Sequence, residues 1–245
     1  MSSNLWDISF INSSQGWICG ANNTILKTLD GGNNWINISP ENSENKIFVE
    51  IDFVDENNGW ISSNYGEILR TTDGGITWTL KKSGHIGGLR LSVLNNQTVY
   101  ALSRKLYRTF DGGETWDSVD VAVPKNYFAS DMFFTNSNDG YVVTENGTGG
   151  MMITEFLVVM TKNGGETWLS SEYMEDGGFK CVYFVNEKVG WIAGTNNIYK
   201  TYDGGKNWIF EFSPQNENLY AKNIFFIDEN NGWLINWDGQ VYKYE

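Results

Sequence analysis

The fold is written most plainly in FVDENNGWISSNYGEILRTTDGGITW, residues 53–78. Phe53 is followed seven residues on by Trp60, after Asn58-Gly59; then come an apolar pair, Ile68-Leu69, and the octapeptide Thr71-Thr72-Asp73-Gly74-Gly75-Ile76-Thr77-Trp78. Two adjacent glycines admit positive φ, and an Asp side chain accepts hydrogen bonds from backbone N–H groups across a tight turn. The Thr hydroxyl adds a local bond, and the Trp is expected to anchor the turn with its indole packed between adjacent sheets. The octapeptide therefore reads as scaffold.

Working outward, the octapeptide recurs at Thr28 to Trp35 (Asp30), Thr109 to Trp116 (Asp111), Thr161 to Trp168 (Asn163 in place of Asp) and Thr201 to Trp208 (Asp203), making five boxes with Asp73 and Trp78. The pair ahead of it recurs six times: Phe10 with Trp17, Phe53 with Trp60, Val93 with Tyr100, Phe134 with Tyr141, Phe184 with Trp191 and Phe226 with Trp233. In the first copy this spacing predicts strands over Asp7 to Ile11, Gly16 to Gly20, Thr24 to Thr28 and Trp35 to Ser39, with the box between the last two. Copies of about 40 residues with four short strands each define an all-β propeller of six blades, each a four-stranded antiparallel meander. The expected single domain spans 1–245, with blades at about 1–43, 44–84, 85–124, 125–174, 175–214 and 215–245. The spacing from Trp17 to Lys27 is repeated from Trp233 to Lys243, which puts a sixth box Asp at 246, so the last blade is expected to have three strands or the chain to be truncated.

Composition agrees. Gly numbers 27 against 3 Pro, aromatics make up 15% of the chain, and no stretch carries apolar residues at helical spacing. A net charge of −13 excludes nucleic acid as the main partner, because phosphate binding needs clustered Lys and Arg; the acidity reads first as what keeps an aromatic-rich surface soluble. Cys19 and Cys181 lie far apart in different kinds of strand and read as buried thiols, without a disulfide. No apolar segment has membrane-spanning length and the repeat starts close to Met1, so membrane insertion is not expected and the chain is expected in the cytoplasm, or exported or at the cell surface if Met1 is not the native start.

The boxes match the Asp-box pattern Ser/Thr-x-Asp-x-Gly-x-x-Trp of sialidases, other glycoside hydrolases and several non-enzymatic propellers. The longer consensus, best seen in Phe53 to Trp78 and Phe184 to Trp208, most resembles the photosystem II assembly and stability factor family and its bacterial relatives, over almost the whole chain. That resemblance implies a non-catalytic propeller that binds another protein. It also implies an arginine-rich patch in photosynthetic members, whereas this chain has only Arg70, Arg90, Arg104 and Arg108.

In a meander the turns alternate between the two ends of a blade, so the boxes share an end with the turns between strands one and two. Binding residues are expected at the other end, among Tyr65, His85, Arg104, Lys105, Tyr127, Tyr173, Tyr220 and Trp237, none of which the repeat needs. Tyr65, Arg104, Lys105, Tyr127 and Trp237 are the binding candidates, and Trp237 stands out in a predicted Asn236-Trp237-Asp238-Gly239 turn. Thr144 to Phe156 lengthens the fourth copy, either as a mobile, Met-tipped loop (Met151, Met152) or as a longer hairpin. His85 has no second ligand near it in sequence, and the Asp-Glu-Asn-Asn-Gly runs at Asp55 and Asp228 lack a full calcium set, so no metal or cofactor is expected. Sialidase chemistry needs three converging arginines, while Arg70 and Arg108 occupy the scaffold slot of Lys27 and Lys200. The function expected is a monomeric, non-enzymatic module whose partner is a protein. A glycoside hydrolase or carbohydrate-binding propeller is the alternative, since two flanking carboxylates suffice for that chemistry.

Overall fold

A computed structural model describes residues 4–40, 46–84, 90–124, 127–146, 157–171, 178–195, 197–212 and 219–244. Its described elements are all strands. Blade one holds β1 (Leu5–Phe10), β2 (Gly16–Gly20), β3 (Ile25–Thr28) and β4 (Ile36–Asn37). Blade two holds β5 (Phe48–Phe53), β6 (Gly59–Ser63), β7 (Ile68–Thr71) and β8 (Thr79–Lys82); blade three holds β9 (Arg90–Val93), β10 (Val99–Leu102), β11 (Leu106–Thr109) and β12 (Asp117–Val119). Blade four is β13 (Tyr127–Phe134), β14 (Gly140–Asn146), β15 (Val158–Thr161) and β16 (Leu169–Ser170), and blade five is β17 (Cys181–Phe184), β18 (Gly190–Ala193), β19 (Ile198–Thr201) and β20 (Ile209–Phe212). Blade six has three strands, β21 (Ala221–Phe226), β22 (Gly232–Asn236) and β23 (Val241–Tyr244). Strands pair in chain order within every blade, so the chain is a six-bladed β-propeller of antiparallel meanders with a three-stranded last blade. Contacts group it into two compact units, Met1–Ser118 with blades one to three and Val119–Glu245 with blades four to six.

Each blade is locked by short-range chemistry that the sequence pattern encodes. Phe53 pairs in register with Gly59, and a Cβ on Gly59 would lie 2.6 Å from the Phe53 ring, so the Phe and the Gly before Trp form one contact. Two residues past each such Phe (or Val93) an Asn or Asp side chain accepts two backbone N–H bonds and closes the turn. Asn12, Asp55, Asn95, Asn136, Asn186 and Asp228 do this in blades one to six. The runs at Asp55 and Asp228 are thus turn caps.

The box is a second closed circuit. In blade two Thr71 Oγ1 donates to Asp73 Oδ1 at 2.7 Å and accepts from Gly75 N at 3.0 Å, while Asp73 Oδ1 accepts from Thr77 N at 2.9 Å. Gly74 sits at φ +74°, in the left-handed region, where a Cβ would meet the Glu56 carbonyl at 2.8 Å. The same Thr–Asp and Thr–Gly bonds appear in the other boxes, and Asn163 accepts from Thr167 N at 2.9 Å just as an Asp does. The first box Gly donates its N–H to the turn between strands one and two of its own blade in all five cases, which puts boxes and those turns at one end, as expected.

The box indoles pack at the junctions between adjacent sheets, as expected: Trp78 against blades one and two, Trp116 against two and three, Trp208 against four and five. Box indoles fold back on their own turns: Trp78 Nε1 donates to the Gly75 carbonyl and Trp168 Nε1 to the Gly165 carbonyl, both at 3.0 Å. Box rings stand edge-on to the Phe of their own blade where there is one, as Trp78 does to Phe53, while Trp116 in blade three stands edge-on to Trp60 of blade two. The stack between blades is made by the other aromatic: Trp17 on Phe53 at 3.7 Å, Tyr141 on Phe184 at 4.0 Å and Trp191 on Phe226 at 3.6 Å. The spacing gave no means of separating these jobs, because both aromatics border Gly in the repeat. Trp17 Nε1 and Lys27 Nζ donate to the Gly74 carbonyl of the next box, Arg70 does the same to Gly112 and Tyr141 to Gly204. Trp17, Trp60 and Trp191 are wholly buried. At roughly 150–250 Å² each and ~25 cal/mol per Å², such rings contribute about 4–6 kcal/mol apiece before ordering entropy.

The predicted strand over Trp35 to Ser39 is only Ile36–Asn37, because Trp35 belongs to the turn and Ser39 Oγ bonds back to Ile25. In blade four Thr144, Glu145 and Asn146 prolong β14 alongside Tyr127 to Ala129 of β13, so the extra length joins the first hairpin; residues 147–156 lie outside the described residues. Cys19 and Cys181 are buried free thiols.

Candidate functional site

At the box end the polar side chains are committed. The Asp73 and Asp203 carboxyls are partly desolvated, which alone would raise them, but bonds from Thr77 or Asn207 hold both below the usual range. Thr115's hydroxyl and amide take Asp111 down to about 2. Lys27 and Arg70 are bound to carbonyls of the next blade, while Arg108 pairs with Asp117 of its own blade.

The opposite end is less uniform. In the first unit, Tyr65 lies in the Ser63–Gly66 turn between β6 and β7, 57% exposed, where Gly66 N donates to the Ser63 carbonyl. Arg104 and Lys105 form the exposed β10–β11 turn, closed by Ser103 N donating to the Lys105 carbonyl. Lys82, at the end of β8, sets its ammonium 4.2 Å from the centre of the Tyr107 ring, and burial lowers its pKa.

In the second unit, Tyr127 opens β13 and is half-buried, paired in register with Asn146. The predicted Asn236 to Gly239 turn is present, with Gly239 N donating to the Asn236 carbonyl. Trp237 at its tip is 62% exposed; its backbone N–H donates to the Tyr220 carbonyl and its ring lies under Lys222, 5.4 Å from the ammonium. Tyr220, 45% exposed, holds φ at +39°, a conformation that costs a non-glycine residue roughly 1–3 kcal/mol and persists where surroundings impose it. Here Tyr220 N and Ala221 N are tied to the Thr195 and Gly194 carbonyls of blade five. Lys222 was not among the sequence candidates, because the contact depends on the β21 bulge between Ala221 and Asn223, which no composition signal marks. His85 and Tyr173 lie outside the described residues. Among the described residues no group of three His, Cys, Asp or Glu side chains is placed to hold a metal ion, and no helix is long and apolar enough to cross a membrane.

Six meander blades, five of them closed by box circuits, define an Asp-box β-propeller, and the chain is similar to photosystem II assembly factors. Residues 1–88 match the family described as photosynthesis system II assembly factor YCF48. The photosystem II stability/assembly factor HCF136, chloroplastic, of Guillardia theta is 28% identical over 98% of this chain and 80% of its own length. Among solved structures, YCF48 bound to D1 peptide superposes with a TM-score of 0.56 at 21% identity, covering 99% of this chain and 93% of that one. The GH74 enzyme of Niastella koreensis superposes with a TM-score of 0.70 at 16% identity, over 98% of this chain but 44% of the enzyme. These superpositions speak for the fold alone.

Proposed function

We propose that the chain is a non-enzymatic protein-interaction or assembly module that takes its ligand at the blade ends opposite the Asp boxes, with Tyr65, Arg104, Lys105, Tyr127 and Trp237 as contact residues. The observation that carries this reading is Trp237: a large ring more than half exposed on a two-strand turn, with Lys222 over the ring and its backbone amide tied to the Tyr220 carbonyl. Preordered aromatic side chains give contact area at low entropic cost, which suits them to anchoring a protein partner. The relatives add support, since one is named an assembly factor and another is described with a bound peptide. The ligand class favoured is therefore protein.

The carbohydrate reading draws on one observation, the likeness to GH74 propellers. Against it stands the state of the box carboxyls, which are engaged by their own turns and held low, the opposite of a general acid. Replacing Trp237 and Tyr65 together with Ala is expected to abolish partner capture in pull-downs while leaving thermal stability within about 1 kcal/mol of the parent, as for other exposed sites. Undiminished capture would overturn the location, and measurable turnover of sialosides or β-glucans would overturn the non-enzymatic reading.

A further inference from the structure

The residue just before each Phe or Val of the repeat lies on the first strand of its blade, and the two units fill this position in opposite ways. In the second unit it is Phe133, Tyr183 and Phe225, whose rings follow one another at 5.1 and 5.5 Å across blades four to six. In the first unit it is Ser9, Asp52 and Ser92. Ser9 Oγ accepts from Phe53 N at 3.1 Å and donates to Asp52 Oδ1 at 3.3 Å, and Asp52 in turn accepts from the Val93 backbone. Asp52 thus does for blades two and three what a neutral serine does for blades one and two. Beside this line run two further carboxylates: Asp7 Oδ2 accepts from Ile51 N at 2.9 Å, and Glu50 accepts from Leu91 N and pairs with Arg90 at 2.7 Å.

We propose that Asp52 makes the inner seam of blades one to three a proton-sensitive joint, tight while its carboxyl is protonated and loosened once it ionises beside Asp7. The groups that act on it are Asp7 and Ser9 from β1 and the Phe53 and Val93 backbone, with Trp60 in register on β6; on its own strand Glu50 is turned to Arg90 and Leu91, and the Cys19 thiol is buried near Asp7 and Glu50. Burial pushes the Asp52 carboxyl up, the Asp7 charge pushes it further, and the bonds from Ser9, Phe53 and Val93 only partly offset them, leaving it at about 7. The folded value lies above the unfolded one, so the closed joint binds a proton that the opened joint releases. Its stability is complete below the ordinary carboxylate range, falls as pH rises and is fully lost above about 7.

Amide hydrogen exchange of the full chain between pH 5 and 8, corrected for intrinsic exchange, tests this. The opening equilibrium at Ile51, Phe53 and Val93 should rise with pH, by up to about tenfold per unit, and level off above neutrality. Val182, which bonds the Asp131 carboxylate in the aromatic-lined seam, should show no such rise. Asp52→Ser should flatten the profile, and Asp7→Asn should move its plateau to lower pH. A flat profile in the parent, or an unchanged one in Asp52→Ser, overturns the proposal. Should that variant not fold, the parent's Asp52 carboxyl carbon titrated by NMR decides: a midpoint below 5 overturns the proposal and one near 7 sustains it.

Discussion

At the residue scale, four of the five boxes carry a titrating Asp and one carries Asn163, which makes the same bond to the amide four residues on. The chain therefore contains its own control. Because the folded carboxyls lie below their ordinary values, their contribution is complete above about 4 and is lost as pH falls toward 2, the value held by Asp111. Between pH 4 and 2, exchange at Thr77, Thr115 and Asn207 should accelerate relative to Thr167, and NMR-detected exchange checks the difference. At neutral pH Asp73→Asn should be nearly silent, whereas Asp73→Ala hands the exposed Thr77 amide to water and should cost about 0.5–1.5 kcal/mol.

Blade by blade, the stacked aromatic matters more than the box aromatic. Trp17 is fully buried, stacks on Phe53 and bonds the next box, while Trp35 is half-buried against its own Phe10. Denaturant unfolding of Trp17→Ala should show a loss of about 3–5 kcal/mol, clearly exceeding that of Trp35→Ala; equal losses would refute the division of labour. Strand order, blade count and box-end geometry were legible in the sequence because each depends on contacts inside one 40-residue copy, such as Phe53 on Gly59. The roles of the two aromatics were not, because they depend on the neighbouring copy. Nor were Asp7, Glu50 and Asp131 as inner clamps, although each lies three residues before its Phe. β-bulges at Asp7, Glu50 and Asp131 turn these side chains toward the next blade, and a bulge leaves no mark in an alternating pattern.

For the molecule as a whole, the proposed binding location rests on which blade ends are already occupied by scaffold. Boxes, Asx-capped turns and the Lys/Arg slot consume one end of their own blades; the other ends of those blades carry Tyr65, Arg104 and Lys105 in the first unit and, separately, Tyr220, Lys222 and Trp237 in the second. The candidate residues were legible only as positions the repeat does not require. Their grouping into a Tyr220–Lys222–Trp237 cluster needed the turn and bulge geometry. The most direct test is cross-linking mass spectrometry of the chain with its captured protein partner. Cross-links from Lys105 and Lys222, at the end away from the boxes, are predicted; cross-links confined to Lys162 and Lys206, which lie in the boxes, would contradict the account.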